Sequence, residues 1–389
     1  MKRPKRIAIL ADFPWRYFDE GATGRGGGQA CTWLSQLAEE FARCSAYEIH
    51  WLSIDRRSIL AGSETRDWGG QFFHRVPGLK MTVDLRMGCL LSRWQLLREL
   101  RRIDPDLVHC WGTETPYPLV AGRCAPPVVL SMQGVLGNLQ KQGFLPDHWY
   151  WNKISALEEG SLRKANLITC ESQWAIDRVL EIVPHAVTSQ VEYGVNPGFY
   201  ETTWEPNREN PYVLFVGTLA GYKGVEILLD AIRHIGDRTW TMRFAGDGPL
   251  REAVLNCGIP KVEWLGVLPW VELQQQMSKA ICLVHPTMAD SSPNVVKEAR
   301  VIGLPVITTV HGGQAGYIRD GENGLLVEPL EAGSLADALS RLMNDHLLAQ
   351  RMGACRHAED RAYFRASRTA SGFIQIYDEM IRGASHRPL

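Results

Sequence analysis

Lys223 is the residue whose position most invites chemistry. It sits in Gly217-Thr218-Leu219-Ala220-Gly221-Tyr222-Lys223-Gly224, between a strand-like run and a helix-like one, where the helix should begin. A cation at that end opposes the helix dipole, and a bound anion would remove the conflict. A surface lysine is the plain alternative. A second stretch, Gly24-Arg25-Gly26-Gly27-Gly28-Gln29, follows the first strand pattern and opens a helix. Its glycines would let backbone N–H groups approach an anion, and the helix start would add positive charge. It is not the GxGxxG fingerprint, and no acid stands ~20 residues on to hold a dinucleotide ribose. A flexible loop remains the competing reading.

Two further stretches bring carboxylates and turns. Within Pro286 to Ala299, Ser292 suits an N-cap and Pro293 the first helical position. The N–H groups of Asn294, Val295 and Val296 would then be free. Glu298 would lie almost two turns into that helix and Asp290 on the loop ahead of it, so the two acids could address different parts of one ligand. A capped helix with two solvated acids is the alternative. Phe244-Ala245-Gly246-Asp247-Gly248-Pro249 reads as a tight turn, with Asp247 as cap and Pro249 as first helical residue. Gly246 could line a cleft as a secondary use.

The elements that must position these residues alternate from end to end. Strand patterns fall at 7–11, 48–54, 107–111, 127–132, 166–170 and 188–192, with helices at about 29–43, 91–103, 150–165 and 172–182. After Pro211 the alternation restarts, with strands at 212–217, 240–245, 262–265, 281–284, 305–309 and 324–327. Alternation of this kind predicts parallel sheets with right-handed crossovers. Runs such as Val213-Leu214-Phe215-Val216 are apolar on both faces, as buried parallel strands are. Twelve strands exceed one ordinary open sheet, and Trp204–Pro211 has the composition of a linker. The fold class expected is therefore α/β, with two Rossmann-like doubly wound parallel-sheet domains facing a central cleft. The boundaries are 1–196, 197–365, and a C-terminal helix over 366–389 that could pack back on the first domain; the tail from about 346 reads as two helices. Such sheets bind ligands beyond the carboxyl ends of their strands, where all four stretches lie.

Composition narrows the function. With 389 residues, 42 Lys+Arg against 43 Asp+Glu and a net charge of -1, there is no basic excess for gripping nucleic acid. The hydrophobic share of 45% excludes a disordered chain. No run reaches the ~20 apolar residues of a membrane span, and the start lacks a signal-peptide pattern, so a soluble, cytoplasmic protein is expected. The nine cysteines show no CxxC pair and fall partly in apolar runs, which predicts reduced, buried thiols rather than disulfides or zinc.

In their order along the chain, the motifs resemble the retaining GT-B glycosyltransferases of family 4. The marks are Gly217 with Lys223-Gly224, Ala245-Gly246-Asp247-Gly248-Pro249, Trp264-Leu265-Gly266, His285-Pro286, Asp290 to Glu298, Gly303-Leu304-Pro305-Val306-Ile307, Gly312-Gly313, and Asp320-Gly321-Glu322-Asn323-Gly324. Looser matches in the first half include Gly26–Gly28, Asp104-Pro105-Asp106 and Tyr193-Gly194-Val195-Asn196. The resemblance implies a nucleotide-sugar donor held mainly by the second domain. By position, Lys223 would bind the diphosphate beside Gly217, Thr218 and Gly246, and Glu298 the ribose hydroxyls. Val267-Leu268 would flank the base, Asn294–Val296 would offer N–H groups, and Gly27 or Gly28 would close over the diphosphate. Asp290 stands where the first Glu of the family's E-x7-E pattern contacts the transferred sugar.

Three departures accompany that resemblance. Thr218 replaces the usual Arg of the phosphate site, unless Arg25 or another base substitutes. Asp290 is one methylene shorter than Glu, which re-aims its contact. Gln133, in Ser131-Met132-Gln133-Gly134, stands where many members carry a cleft His, and an amide cannot shuttle a proton near neutral pH. The catalytic candidates are thus Lys223, Asp290 and Gln133, and the acceptor-side candidates Arg25, His109 and Trp111, with a structural role competing for His109. Trp15, Trp149 and Trp151 could also stack on sugar rings. No Asp-x-Asp pattern follows a strand end, so neither metal nor cofactor is expected beyond a UDP-, GDP- or dTDP-linked substrate. The expected reaction is transfer of a sugar to a hydroxyl of a glycan, lipid-linked glycan or small glycoside, the diphosphate oxygen accepting the proton. The amphipathic segment 90–102, with its basic side, reads first as an ordinary surface helix packed by its Leu and Trp residues, with weak peripheral membrane contact as the alternative. A monomer or homodimer is expected. The rival functions are a nucleotide-sugar epimerase and a non-catalytic nucleotide-sugar-binding protein.

Overall fold

Short runs that are apolar on both faces can be buried only between two layers of helices, and they form the inner strands here. The computed structural model describes residues 3–15, 18, 32–44, 46–56 and 63–385. They divide into two units, one from the described residues of Met1–Tyr193 and Ala366–Leu389, the other from Gly194–Arg365.

The first unit is built on β1 (Arg6–Leu10), β2 (Glu48–Asp55), β3 (Glu64–Trp68), β4 (Gln71–Pro77), β5 (Leu107–Trp111), β6 (Val128–Ser131), β7 (Leu167–Cys170) and β8 (Thr188–Gln190). Their order is β3-β4-β2-β1-β5-β6-β7-β8. Only the β3–β4 pairing is antiparallel among the described strands. The chain winds outward from β1 in both directions, which puts the topological switch between β1 and β5. The helix Ala366–Ser385 returns to this unit and packs on the helix Thr32–Cys44, burying Phe373, Tyr377 and Ile381 in the same core as Ile7, Ile9 and Phe41.

The second unit holds β9 (Tyr212–Val216), β10 (Thr241–Ala245), β11 (Val262–Gly266), β12 (Cys282–His285), β13 (Val306–Thr309) and β14 (Gly324–Val327), all parallel in the order β11-β10-β9-β12-β13-β14. Its switch point lies between β9 and β12. The helix Asn294–Ile302 behind it is fixed by Arg300, which is fully buried. That guanidinium pairs with Asp360 at 2.9 Å and donates to the carbonyls of Asn323, Met352 and Cys355. A buried cation survives because each direction of its fork meets an acceptor.

The structure adds two strands to the twelve expected. β3 and β4 form a hairpin whose turn, Gly69-Gly70, has φ of 59° and 73°. An edge strand with one solvated face, Glu64-Thr65-Arg66-Asp67-Trp68, reads in sequence as a polar loop. The tail likewise holds three helices, not two, because Arg356 at φ 56° breaks the chain between His346–Ala354 and His357–Tyr363. The seven cysteines whose side chains are described are all free, and four of them are buried. No described helix is long and apolar enough to cross a membrane.

Candidate active site

The loops that leave β9, β10, β12 and β13 are stitched to one another by backbone groups. Gly217, after β9, has φ 149° and donates its N–H to Ala245 at 3.0 Å. Gly246, after β10, has φ 137° and donates to Gly266 at 2.7 Å; a Cβ there would collide with the carbonyl of Gly217. Leu219 donates to the carbonyl of Asp247, and Leu250 donates back to Leu219. Asp247 caps the N–H of Gly248, yet the following helix starts at Arg251, two residues later than the Pro249 start expected. The extra residues are used in docking this loop onto Leu219.

Lys223 closes a short turn, Gly221–Lys223, and Gly224 (φ 75°) opens the helix Val225–Ile235. A Cβ on Gly224 would collide with the carbonyl of Pro286, so only glycine lets the two loops meet. Across that contact Met288 donates to the carbonyl of Tyr222 at 2.8 Å, and the Thr287 hydroxyl does so at 3.3 Å. The approach delivers Lys223 Nζ to 2.5 and 2.7 Å from the two oxygens of Asp290. His285 Nε2, at the end of β12, lies 2.9 Å from Asp290 Oδ2. The Lys223 and Asp290 side chains are 14% and 17% exposed. Burial pushes the Asp290 carboxyl up, but the Lys223 ammonium and the His285 hydrogen bond override it and hold the carboxyl far below its ordinary value. Burial depresses His285, and Asp290 opposes that only in part.

The loop after β13 supports Asp290 from behind. Gly313 donates its N–H to the Asp290 carbonyl at 2.8 Å, next to Gly312 at φ 116°. The Thr309 hydroxyl donates to Thr287, and fully buried Gln314 donates to Thr309 and to His311. Sequence reasoning gave no role to His285, Gly313 or Gln314. Their only signal was the placement of His-Pro and Gly-Gly just after strands.

Glu298 lies in the helix Asn294–Ile302 and is 6% exposed. Burial pushes its carboxyl up to about 8, eased by Lys297, and none of the described residues hydrogen-bonds it. The helix begins one residue later than expected. Pro293, not Ser292, holds the cap position, with ψ 116°. The N–H of Val296 is therefore engaged by the Pro293 carbonyl at 3.0 Å, which leaves Asn294 and Val295 as the candidate donors. Thr218 is exposed after β9; beyond β11, Val267 is exposed and Leu268 half-buried.

In the first unit, Gln133 is half-buried just past β6. His109 and Trp111 are corrected from acceptor-side candidates to core residues. His109 is 0% and Trp111 2% exposed, and their rings stack at 4.4 Å. Each nitrogen of His109 is committed, Nδ1 to Tyr377 Oη and Nε2 to Ser131 Oγ, both at 2.7 Å, and burial pushes the imidazole down to about 3. The C-terminal helix that carries Tyr377 is what seals this site from solvent. Arg25, Gly27 and Gly28 lie outside the described residues. No group of three or more His, Cys, Asp or Glu able to hold a metal ion occurs among the described residues.

Residues 210–345 match the family described as Glycosyl transferases group 1, and residues 27–198 that described as Glycosyltransferase Family 4. An uncharacterized glycosyltransferase of Methanocaldococcus jannaschii is 30% identical over 358 residues, spanning 87% of this chain and 92% of that protein. Among solved structures, sucrose-phosphate synthase from Thermosynechococcus elongatus aligns with a TM-score of 0.78 at 18% identity, over 97% of this chain and 100% of that one. HepE of Anabaena in complex with UDP-glucose aligns with a TM-score of 0.69 at 17% identity, over 97% and 99%.

Proposed function

The chain belongs to the family 4 (group 1) glycosyltransferases, and from that premise we propose that it moves a sugar from a nucleoside-diphosphate donor to a hydroxyl acceptor, retaining configuration and using no metal. The observation that carries this reading is the partly open Lys223 ammonium beyond the carboxyl ends of β9 and β12, where an open parallel sheet takes its ligand. Breaking the bond from the anomeric carbon to the diphosphate leaves positive charge on the sugar and negative charge on the departing oxygen. A fixed cation and free N–H groups in a site of low dielectric stabilise that leaving charge without reorganising. Lys223 supplies the cation, and Asn294 and Val295 the N–H groups, with Thr218 as a hydroxyl contact.

Glu298, buried and without an internal hydrogen bond among the described residues, suits the paired hydroxyls of a ribose. Gln133 remains a proposed hydrogen-bonding contact of the sugar or phosphate, and Gly27 and Gly28 remain proposed diphosphate contacts. The acceptor hydroxyl attacks the face from which the diphosphate leaves, and its proton passes to the diphosphate oxygen. UDP is the first nucleotide to test, because HepE of Anabaena was solved in complex with UDP-glucose. The test is thermal stabilisation by UDP-, GDP- and dTDP-sugars; one selective donor is expected, and none stabilising the protein would sink the reading.

The acceptor is proposed to be presented at a membrane surface. Val83, Met87, Leu90 and Trp94 are 41%, 50%, 55% and 54% exposed around the start of the helix Leu90–Ile103, and Arg86 and Arg98 are exposed beside them. Arg98 lies over the Trp94 ring at 5.4 Å. Apolar side chains ringed by arginines fit the interface of an anionic bilayer.

A further inference from the structure

Asp290 Oδ2 has two donors at once, Lys223 Nζ at 2.7 Å and His285 Nε2 at 2.9 Å. His285 is 1% exposed, with the ring of Phe215 stacked at 6.0 Å and its carbonyl fixed by the Thr308 hydroxyl at 2.7 Å. The imidazole is therefore held in place whatever Lys223 does. We infer that His285 is a positioning residue for donor capture, taking over Asp290 when a donor diphosphate claims Lys223. This rests on the reading that Lys223 binds that diphosphate.

The reason is electrostatic. Lys223 balances Asp290 through both carboxylate oxygens. A diphosphate would draw the ammonium away and place further negative charge beside a carboxylate that is poorly solvated, and like charges at such range repel strongly in a site of low dielectric. Among the described residues, Asp290 and Lys223 are the charged groups that act on His285. Docking of the diphosphate removes the cation's influence and adds an anion's. Both changes favour a proton on the imidazole, which burial otherwise disfavours. The proton comes from solvent and forms an N–H bond at the ring nitrogen that does not face Asp290; no other covalent bond forms or breaks. An imidazolium then fixes Asp290 by a charge-assisted hydrogen bond. The short Asp side chain, at the position where the family carries Glu, faces the protein's own Lys223 and His285.

The test is calorimetric binding of UDP-glucose, GDP-mannose and dTDP-glucose to the full chain, in buffers of differing ionisation enthalpy, from pH 6.5 to 8.5. The diphosphate diesters themselves do not titrate in this range. Glu298 releases a proton if it binds ribose as a carboxylate, so the diagnostic quantity is a difference. Wild type should take up more protons than His285→Asn, by as much as one, and its Kd should rise with pH more steeply, by up to about tenfold per unit. Equal proton counts and slopes would overturn the inference and leave donor binding standing. Failure of every donor to bind would overturn both. His285 ring-nitrogen NMR in the wild-type chain needs no folded variant. A neutral ring turning to imidazolium on donor addition is expected, and a ring that stays neutral refutes the handover.

Discussion

Lys223 and Asp290, separated by 67 positions in the chain, form a two-oxygen ion pair at 2.5 and 2.7 Å across the ends of β9 and β12. Because the pair is partly open, it is both a structural contact and the point where an anion can compete.

Lys223→Ala should lower turnover by about 10²–10³, the usual loss when a fixed stabiliser of leaving-group charge is removed. It also strands Asp290, so stability should fall by somewhat less than the ~3–5 kcal/mol of a fully buried broken pair. Adding Asp290→Asn should restore the melting temperature without restoring turnover. Denaturant melts and initial rates on the same preparations separate these effects.

Glu298 gives a pH signature. Its folded-state carboxyl is raised from 4.5 to about 8 by burial. Its contribution to stability is therefore complete below about pH 4.5 and fades as pH rises through 8. Glu298→Gln should flatten this decline in melting temperature and weaken donor binding by about ten- to a hundredfold, through loss of hydrogen bonds to a charged group.

His109 titrates in the opposite sense. Burial lowers it from 6.5 to about 3, so the stability it confers is present above pH 6.5 and erodes as pH falls toward 3. His109→Ala should cost about 2–4 kcal/mol by losing two hydrogen bonds and opening a cavity. Acceptor KM in the folded fraction should not move. A raised KM with unchanged stability would restore His109 to the acceptor site.

The exposed helix face can be tested by flotation with vesicles. Binding to anionic vesicles should exceed binding to neutral ones and fall with salt. Trp94→Ser with Leu90→Ser should reduce it by about tenfold or more. Equal recovery from both vesicle types would remove the membrane proposal.

Most of the fold was legible because parallel strands buried on both faces announce themselves as runs such as Val213–Val216. The Glu64–Pro77 hairpin was not, since its edge strand Glu64–Trp68 carries polar residues on both faces and only Gly69-Gly70 marked its turn. Glycine positions in the site were legible for a similar reason: at Gly224 and Gly246 a side chain would block a backbone, and Gly217 takes a φ of 149° that side chains rarely adopt. The partnership of His285 with Asp290 depends on loops from separate strands meeting, which local pattern does not encode. His109 was misplaced because its partner Tyr377 comes from the far end of the chain, and a strand-end histidine looks the same in sequence whether it is sealed or open.

A crystal structure of the chain soaked with UDP-glucose, or with whichever donor stabilises it best, tests the central claim most directly. The diphosphate should lie within hydrogen-bond distance of Lys223 Nζ, with the Lys223–Asp290 pair broken and the ribose on Glu298. A nucleotide bound elsewhere, with the pair intact, would contradict the account.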